Sequence, residues 1–519
     1  MALLQLLLFL LLCALALGWL SRRVNLPYPI ALVIGGSLLG FVPGLPQVEF
    51  DPAFLLVLVL PPILYQAALL TSWRDFKANI RPIGLLAIGL VFATTLAVGA
   101  ALKMLIPEIP WAVAFVLGAI VSPPDAVAAT AILSRLNIPH RVVTVLEGES
   151  LVNDASGLVL YKFAVAAAMT GVFSLADAGV QFVLISVGGV AIGLVLGFAF
   201  VFVHRFLGDA FIEVLLTLAV PYVVYILAEK LHLSGVLAVV AAGLVRGRYA
   251  PEIVSAEMRI IARSAWNLLV FLLNSLVFIL IGIQLSVLVD RLTGLSALEL
   301  FFQGALVSAV AILIRFAWIY PATYLPRMLS ESFRERSPAP AEAEVFIMSW
   351  CGMRGIVSLA AALALPLTLA DGTPFPQRDL VIFLTFVVIA VTLVLQGLTL
   401  APLIRFLKVG ADWSGQEEHQ HAKLALTKAA VAAIDEVAAK ESISQELADR
   451  IRAEFAEKIT LSIPGSLVME RGADPAKRLR RAAIEAERRE LIRIWRDNRI
   501  SDDVLHHLEE DLDYQESRL

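Results

Sequence analysis

The stretch VLEGESLVNDASGLVLY, residues 145–161, sets Glu147, Glu149 and Asp154 in an otherwise apolar run. A further carboxylate, Asp125, lies in VSPPDAVAATA, directly after Pro123 and Pro124. Two arginines interrupt equally apolar runs: Arg315 in LVSAVAILIRFAWIY and Arg354 in WCGMRGIVSLAAALALP. An ionisable group at the centre of a bilayer costs about 2.5–3.5 kcal/mol even on the lenient insertion scale, so such groups mark function and find partners. Ser150 and Asp154 are four residues apart and share a helix face. Their oxygens, with Asn153 and any backbone carbonyls freed nearby, suit a hard alkali cation. Poor solvation disfavours the charged form of Asp154. A proton and a cation can then compete for one carboxylate, which is sufficient for exchange if the site faces one side at a time. The bland alternative is an Asp154 neutralised by an arginine.

The neighbouring residues sharpen this reading. Pro123 and Pro124 remove two backbone donors and clash with the carbonyls of Ala119 and Ile120, so the helix breaks there. Broken backbone at membrane depth is tolerated only in protein or beside a cavity, and its freed carbonyls can hold a cation. A plain proline kink, with Asp125 capping the second half-helix, is the alternative, and the two roles can coexist. Arg315 must find a carboxylate. Glu149 is the expected partner, with Asp125 and Asp154 as rivals. A Glu149–Arg315 pair is structural and leaves Asp154 free to titrate. Arg354 stands between Gly352 and Gly355, and flexible glycines beside a charge predict a second broken helix. The arginine would steady the C-terminal dipole of that helix's first half. Glu147 lies nearer a helix end, and Lys162 is expected to snorkel outward.

What positions these groups is a membrane body. The 519 residues are 59% hydrophobic and 17% charged, with a mean hydropathy of +0.82. Soluble domains are usually about 45–50% apolar and about 25% charged. A spanning helix needs about 20 mostly apolar residues. Thirteen such segments lie near 3–20, 27–44, 52–70, 82–105, 111–133, 145–170, 179–204, 210–229, 233–247, 264–289, 297–325, 344–370 and 379–407. The ninth is short, which leaves twelve as the alternative. Residues 3–20 read as a first membrane helix in preference to a signal peptide, since no basic residue precedes them. With the N-terminus outside, the inner loops hold fifteen arginines and lysines against four outside, which favours thirteen spans and an internal C-terminal tail.

The chain therefore divides into a transmembrane body, 1–409, and a helical cytoplasmic tail, 410–519. The tail holds 23 acidic and 17 basic residues. ALTKAAVAAIDEVAAK (425–440) and ELADRIRAEFAEKI (446–459) have helical apolar spacing. KRLRRAAIEAERRELIRIW (477–495) is a charged amphipathic helix, packed on its neighbours or bound to a membrane surface. The formal net charge of −4 argues for no nucleic-acid partner. Cys13 and Cys351 suggest neither a disulfide framework nor a metal cluster. No cofactor is implied, and no Walker-type loop points to ATP.

These ordered motifs resemble the monovalent cation/proton antiporters, in the branch holding NhaP and the animal sodium/proton exchangers. GESLVND (148–154) is similar to that branch's sixth-helix signature, SPPDAVA (122–128) to its fifth-helix motif, GMRG (352–355) to its twelfth-helix motif and LPPIL (60–64) to its third. The likeness covers about 1–409, and the tail is similar to that of the bacterial long-tailed subgroup. It implies an all-α fold of two inverted six-helix repeats, with helices five and twelve crossing as broken helices. It also implies a homodimer in which a core moves against a dimerisation domain in an elevator-like motion. Asp154 would bind cation and proton in turn, with Asp125 and Ser150 as further Na+ ligands. Asn153, where electrogenic relatives carry a second Asp, would make exchange one for one. The family's buried Glu–Arg pair falls on Glu149 and Arg315. Pro124 stands where many members have Thr, Ala126 replaces the usual Pro, and Gln66 sits where some archaeal members have a Glu ligand. These departures bear on ion choice and affinity.

The sequence thus reads as an electroneutral sodium/proton antiporter of a bacterial cytoplasmic membrane, and not as an enzyme. Its partners are Na+ or another alkali cation, H+ and the lipid bilayer. One rival is potassium or broad alkali-cation exchange. Another is an ion-sensing regulator that signals through the tail. A membrane-embedded hydrolase lacks a base near Ser150 or Cys351, because His140, His204 and His232 lie at segment ends.

Overall fold

The apolar runs fold as helices because backbone polar groups inside a bilayer must be satisfied within the segment. The computed structural model describes residues 2–24, 26–40, 52–133, 136, 138–171, 175–291, 296–336, 339–369, 371–409, 414–441, 443–460 and 474–516. The body comprises α1 (Ala2–Val24), α2 (Tyr28–Gly40), α3 (Pro52–Leu70), α4 (Ile80–Leu105), α5 (Trp111–Val121), α6 (Ala126–Leu133), α7 (His140–Thr170) and α8 (Leu175–His204). It continues through α9 (Ala210–Lys230), α10 (Gly235–Ile253), α11 (Ala256–Arg291), α12 (Ala297–Leu329), α13 (Glu342–Trp350), α14 (Ile356–Leu363) and α15 (Arg378–Phe406). The tail adds α16 (Ser414–Lys440), α17 (Gln445–Thr460), α18 (Asp474–Arg496) and α19 (Asp502–Glu516).

Among the described residues seven single helices, α4, α7, α8, α9, α11, α12 and α15, are long and apolar enough to cross a bilayer. The other six expected segments are not among these seven. Four are the single helices α1, α2, α3 and α10, and two are the broken pairs α5/α6 and α13/α14. The end of the second segment, 41–44, lies outside the described residues. Local chemistry sets several helix ends. Ser296 and Glu299 form a reciprocal capping box at the start of α12, and Gly171 ends α7 in the left-handed conformation at φ 70°.

Two helices carry a π-turn, at Leu85–Leu90 in α4 and Thr392–Gln396 in α15. A π-turn loosens the ladder and is frequent at functional sites. In α4 the indole Nε1 of Trp318 donates to Leu85 O at 3.1 Å, so an α12 side chain pairs with that irregular stretch. In α15 the Thr392 hydroxyl accepts from the backbone N–H of Arg354 at 3.1 Å.

The chain divides into two compact units. The first holds Met1–Val201, Leu218–Arg246 and Trp266–Ala411, and contains both broken pairs. The second holds Phe202–Thr217, Gly247–Ala265 and Asp412–Leu519. Its core comes from the apolar stripes of the tail helices: Leu426, Ala430 and Ile434 of α16, Ile451 and Phe455 of α17, Leu479 and Leu491 of α18, and Leu508 and Leu512 of α19. The apolar face of α18 is therefore packed on its neighbours.

Charge explains why Gly247–Ala265 joins the tail's unit. Arg259 donates two hydrogen bonds to Asp513, at 2.8 and 2.6 Å, where the carboxylate is only 4% exposed. Arg488 reaches the same carboxylate at 2.9 Å. Arg496 pairs with Glu252 at 2.8 Å, Arg263 pairs with Glu510, and the Arg248 guanidinium lies 4.4 Å over the Trp495 ring. A bidentate arginine on a buried carboxylate is among the stronger pairings available to side chains. Arg259→Ala should cost on the order of 2 kcal/mol locally. Hydrogen exchange should then quicken in α19 while the interior of α16 keeps its protection; unchanged protection of α19 would count against the clamp.

Candidate functional site

Two prolines and two glycines build the centre of the first unit. α5 ends at Val121 because Pro123 and Pro124 cannot donate, and residues 122–125 lead into α6 outside regular helix. α13 likewise ends at Trp350, and residues 351–355 lead into α14 outside regular helix. The two breaks meet. Asp125 N–H donates to Met353 O at 2.6 Å, and Arg354 Nε donates to Val121 O at 3.0 Å.

Broken backbone leaves carbonyls that need partners. Ser122 Oγ takes Ala119 O at 2.9 Å. Pro124 O accepts from both Ser150 Oγ and Asn153 Nδ2, each at 3.1 Å. Arg354 also donates to Ala311 O at 3.1 Å and to Gly352 O. Arg315 Nε takes Met348 O, in the last turn of α13, at 3.0 Å. The sequence reading gave Arg354 the C-terminal end of its own first half-helix. The structure gives that end to Arg315, while Arg354 reaches across to the end of α5. A cation at a helix C-terminus is favoured in both places.

Arg315 also donates two hydrogen bonds to Glu149, through Nη1 to Oε1 and through Nη2 to Oε2 at 2.7 Å. Both residues are 1% exposed. Every short arm of this guanidinium is therefore engaged, by one carboxylate and one carbonyl. Gly352 and Gly355 supply space, not flexibility. A Cβ at Gly352 would stand 2.9 Å from Arg315 Cδ and 3.0 Å from Arg354 Nη1. A Cβ at Gly355 would stand 1.7 Å from Asp125 Oδ2. What excludes a side chain there is the Asp125 carboxylate itself.

Asp125 and Asp154 line one small cavity of about 40 Å³, with Pro123, Gly355, Ser358 and apolar residues of α3 such as Leu60 and Leu64. A water occupies about 30 Å³ of liquid volume, so the cavity has room for about one water or one small ion. Two carboxylates facing such a space repel, and a proton or a cation relieves them. Ser150 and Asn153 do not line this cavity. They hold Pro124 O and so fix the linker that carries Asp125. Asn153 is fully buried and its Oδ1 has no hydrogen-bond partner in the structure. Gln66 donates to Asn267 at 3.4 Å and is not part of the cavity lining. Lys162 pairs with Glu229 at 3.0 Å. Glu147 is half-buried. Among the described residues no group of three His, Cys, Asp or Glu is placed to hold a metal ion, so any cation here needs oxygens of mixed origin.

The sequence reading missed Ser358. It is 1% exposed, lines the cavity beside both carboxylates, and its hydroxyl has no hydrogen-bond partner in the structure. The available signal was a lone hydroxyl three residues after Gly355 in an otherwise apolar half-helix.

Comparison with known proteins fits this geometry. Residues 7–406 match the family model described as sodium/hydrogen exchanger, transmembrane. An uncharacterized Na+/H+ exchanger of Mycobacterium tuberculosis is 33% identical over 515 residues, covering 96% of this chain and 93% of its own. A sodium, potassium, lithium and rubidium/H+ antiporter of Bacillus pumilus is 36% identical over 425 residues, covering 79% of this chain and 62% of its own. The solved sodium proton antiporter MjNhaP1 of Methanocaldococcus jannaschii shares the fold, with a TM-score of 0.62 over 78% of this chain and 99% of its own, at 20% identity. The chain belongs to the sodium/hydrogen exchanger family, multi-pass membrane antiporters of the NhaP type.

Proposed function

We propose that this protein exchanges one Na+ for one H+ with no net charge movement, and that Asp154 is the carboxylate that carries each in turn. The observation that carries the proposal is the cavity of about 40 Å³ shared by Asp125 and Asp154. It has room for one small occupant, and a positive one would relieve the repulsion between the two facing carboxylates. Asp125, Asp154 and Ser358 offer the cation its oxygens, while Ser150 and Asn153 hold the Asp125 linker from behind. Glu149 and Arg315 form a structural pair that does not titrate during the cycle. Access alternates in an elevator-like movement of the broken-helix core within a homodimer. The body, 1–409, sits in a bacterial cytoplasmic membrane with its N-terminus outside, and the tail, 410–519, is cytoplasmic.

A second reading is supported by one observation. The Bacillus pumilus relative is named for sodium, potassium, lithium and rubidium. A site built from one or two carboxylates and a hydroxyl discriminates by cavity size more than by donor type. Dequenching of a pH dye in proteoliposomes, with each alkali chloride added in turn, separates selective from broad exchange.

Asp154→Asn should abolish exchange in the same vesicles while the protein still inserts and elutes as the wild type does; retained exchange would sink the assignment. Glu149→Gln should act on stability first. It leaves Arg315 buried without its counter-charge, a loss on the order of 3 kcal/mol. The thermal midpoint in detergent should fall clearly, and an unchanged midpoint would refute a structural role for the pair. Ser358→Ala should raise the cation concentration for half-maximal exchange about five-fold, the worth of one lost polar contact, with the maximal rate little changed. Wild-type cation dependence in that variant would remove Ser358 from the site.

A further inference from the structure

α3 carries two consecutive prolines, Pro61 and Pro62, inside its helix. Neither can donate, so the ladder bonds that would reach Val57 O and Leu58 O are lost. Such a gap is where a helix bends. Leu60, Ile63 and Leu64 flank the gap, and all three line the cavity of Asp125 and Asp154. The helix is therefore weakest at the level of the two carboxylates.

The walls of that cavity differ in kind. Asp125 and Gly355 belong to the crossing, where Asp125 N–H donates to Met353 O at 2.6 Å and Arg354 Nε to Val121 O at 3.0 Å. Separating those two chains leaves donors and acceptors unmade, which is expensive away from water. The α3 wall presents apolar side chains, which make no directional bond to the carboxylates they face. A space of about 40 Å³ admits or releases an ion only when a wall gives. α3 is the wall that gives at the least cost.

One contact opposes that movement. The Tyr222 hydroxyl, from α9, donates to Leu58 O at 3.0 Å. Leu58 O is the acceptor whose ladder N–H is missing at Pro62. Tyr222 itself follows Pro221, which lies inside α9. The bond thus joins two helices at their prolines and replaces, from outside, a rung that α3 lacks.

Given the exchange site proposed above, we propose that Tyr222 is a positioning residue for exchange: its hydroxyl pins α3 at Leu58 O and holds the wall of Leu60, Ile63 and Leu64 against the ion cavity. Removing the hydroxyl makes closure of that wall less favourable, and a cation is retained only while the wall is closed, so the apparent affinity falls. The loss is common to all cations, because Tyr222 is not among the residues that line the cavity.

Tyr222→Phe keeps the ring and deletes the hydroxyl. In proteoliposomes it should raise the concentration for half-maximal exchange about five-fold, the worth of one hydrogen bond, with the maximal rate undiminished. The factor should be the same for every alkali cation that the wild type exchanges. Deuterium uptake by the full-length protein should quicken in α3 about five-fold. A double-mutant cycle with Pro62→Ala isolates the contact. Alanine restores an N–H to Leu58 O, so in that background Tyr222→Phe should leave deuterium uptake in α3 unchanged, a readout that needs no transport. Wild-type uptake in α3 of Tyr222→Phe would overturn the proposal, and so would faster uptake with wild-type cation dependence. An undiminished effect of Tyr222→Phe in the Pro62→Ala background would overturn it too, since the hydroxyl would then act elsewhere. Asp154→Asn separates this failure from failure of the site. If that variant retains exchange, the site is wrong and the pin falls with it. If it abolishes exchange while Tyr222→Phe keeps the wild-type cation dependence, the pin alone is wrong.

Discussion

The constraint on which the rest of this structure depends is the confrontation of Asp125 and Asp154 across a cavity that has room for about one water. In bulk water two carboxylates at such range would be screened and unremarkable. Inside the first unit Asp154 is only 8% exposed and Asp125 is half-buried, so solvent and salt screen them less. A positive occupant would relieve their repulsion. That occupant can be a proton or a small cation, and the cavity is too small for a hydrated one. On the proposed function, the competition that an exchanger needs would arise from this packing, before any movement is considered.

Holding the two carboxylates there requires the breaks. An unbroken helix at 111–133 would tie up every carbonyl and carry Asp125 on a regular ladder. Pro123 and Pro124 remove that ladder, and the freed groups are then satisfied one by one. Ser122 takes Ala119 O, Arg354 takes Val121 O, and Ser150 with Asn153 takes Pro124 O. The second break answers the first, since Met353 O accepts from Asp125 N–H. Each half of the crossing thus supplies the donors or acceptors that the other lacks. Gly355 lets the carboxylate of Asp125 lie against the second chain, where even a methyl group would collide with it.

The charged members of this site were legible in the sequence because charge is expensive in lipid. Asp125, Glu149, Asp154, Arg315 and Arg354 stood out against apolar neighbours, and the requirement for a counter-charge linked Arg315 to Glu149 in advance. The breaks were legible too, from Pro123, Pro124 and the glycines round Arg354. What was not legible depends on which chain lies opposite. Ser358 is an ordinary hydroxyl in a helix until the α5/α6 linker and α7 bring the two aspartates beside it. Gly352 and Gly355 look like hinges in sequence, and only the facing side chains show that they are clearances. Ser150 shares a face with Asp154, as the spacing required, yet the linker of α5/α6 draws the donors of Ser150 and Asn153 to Pro124 O and away from the cavity. The grouping of Gly247–Ala265 with the tail is likewise a long-range pairing, of Arg259 with Asp513, that no local pattern announces.

The charged groups at the crossing are Asp125, which is half-buried, and the buried Asp154 and Glu149, against the buried Arg315 and Arg354. Glu149 and Arg315 cancel as a bidentate pair. Arg354, 2% exposed and spent on three carbonyls, supplies one positive charge that no carboxylate contacts directly. In the proposed cycle a monovalent cation and a proton bring the same charge to Asp154, so either loaded state would cross the bilayer at the same electrostatic cost. An empty, ionised site would have to move a bare charge. Isolated charges in low dielectric are penalised by many kcal/mol, so that movement would be suppressed. That penalty would couple cation to proton one for one in the proposed cycle.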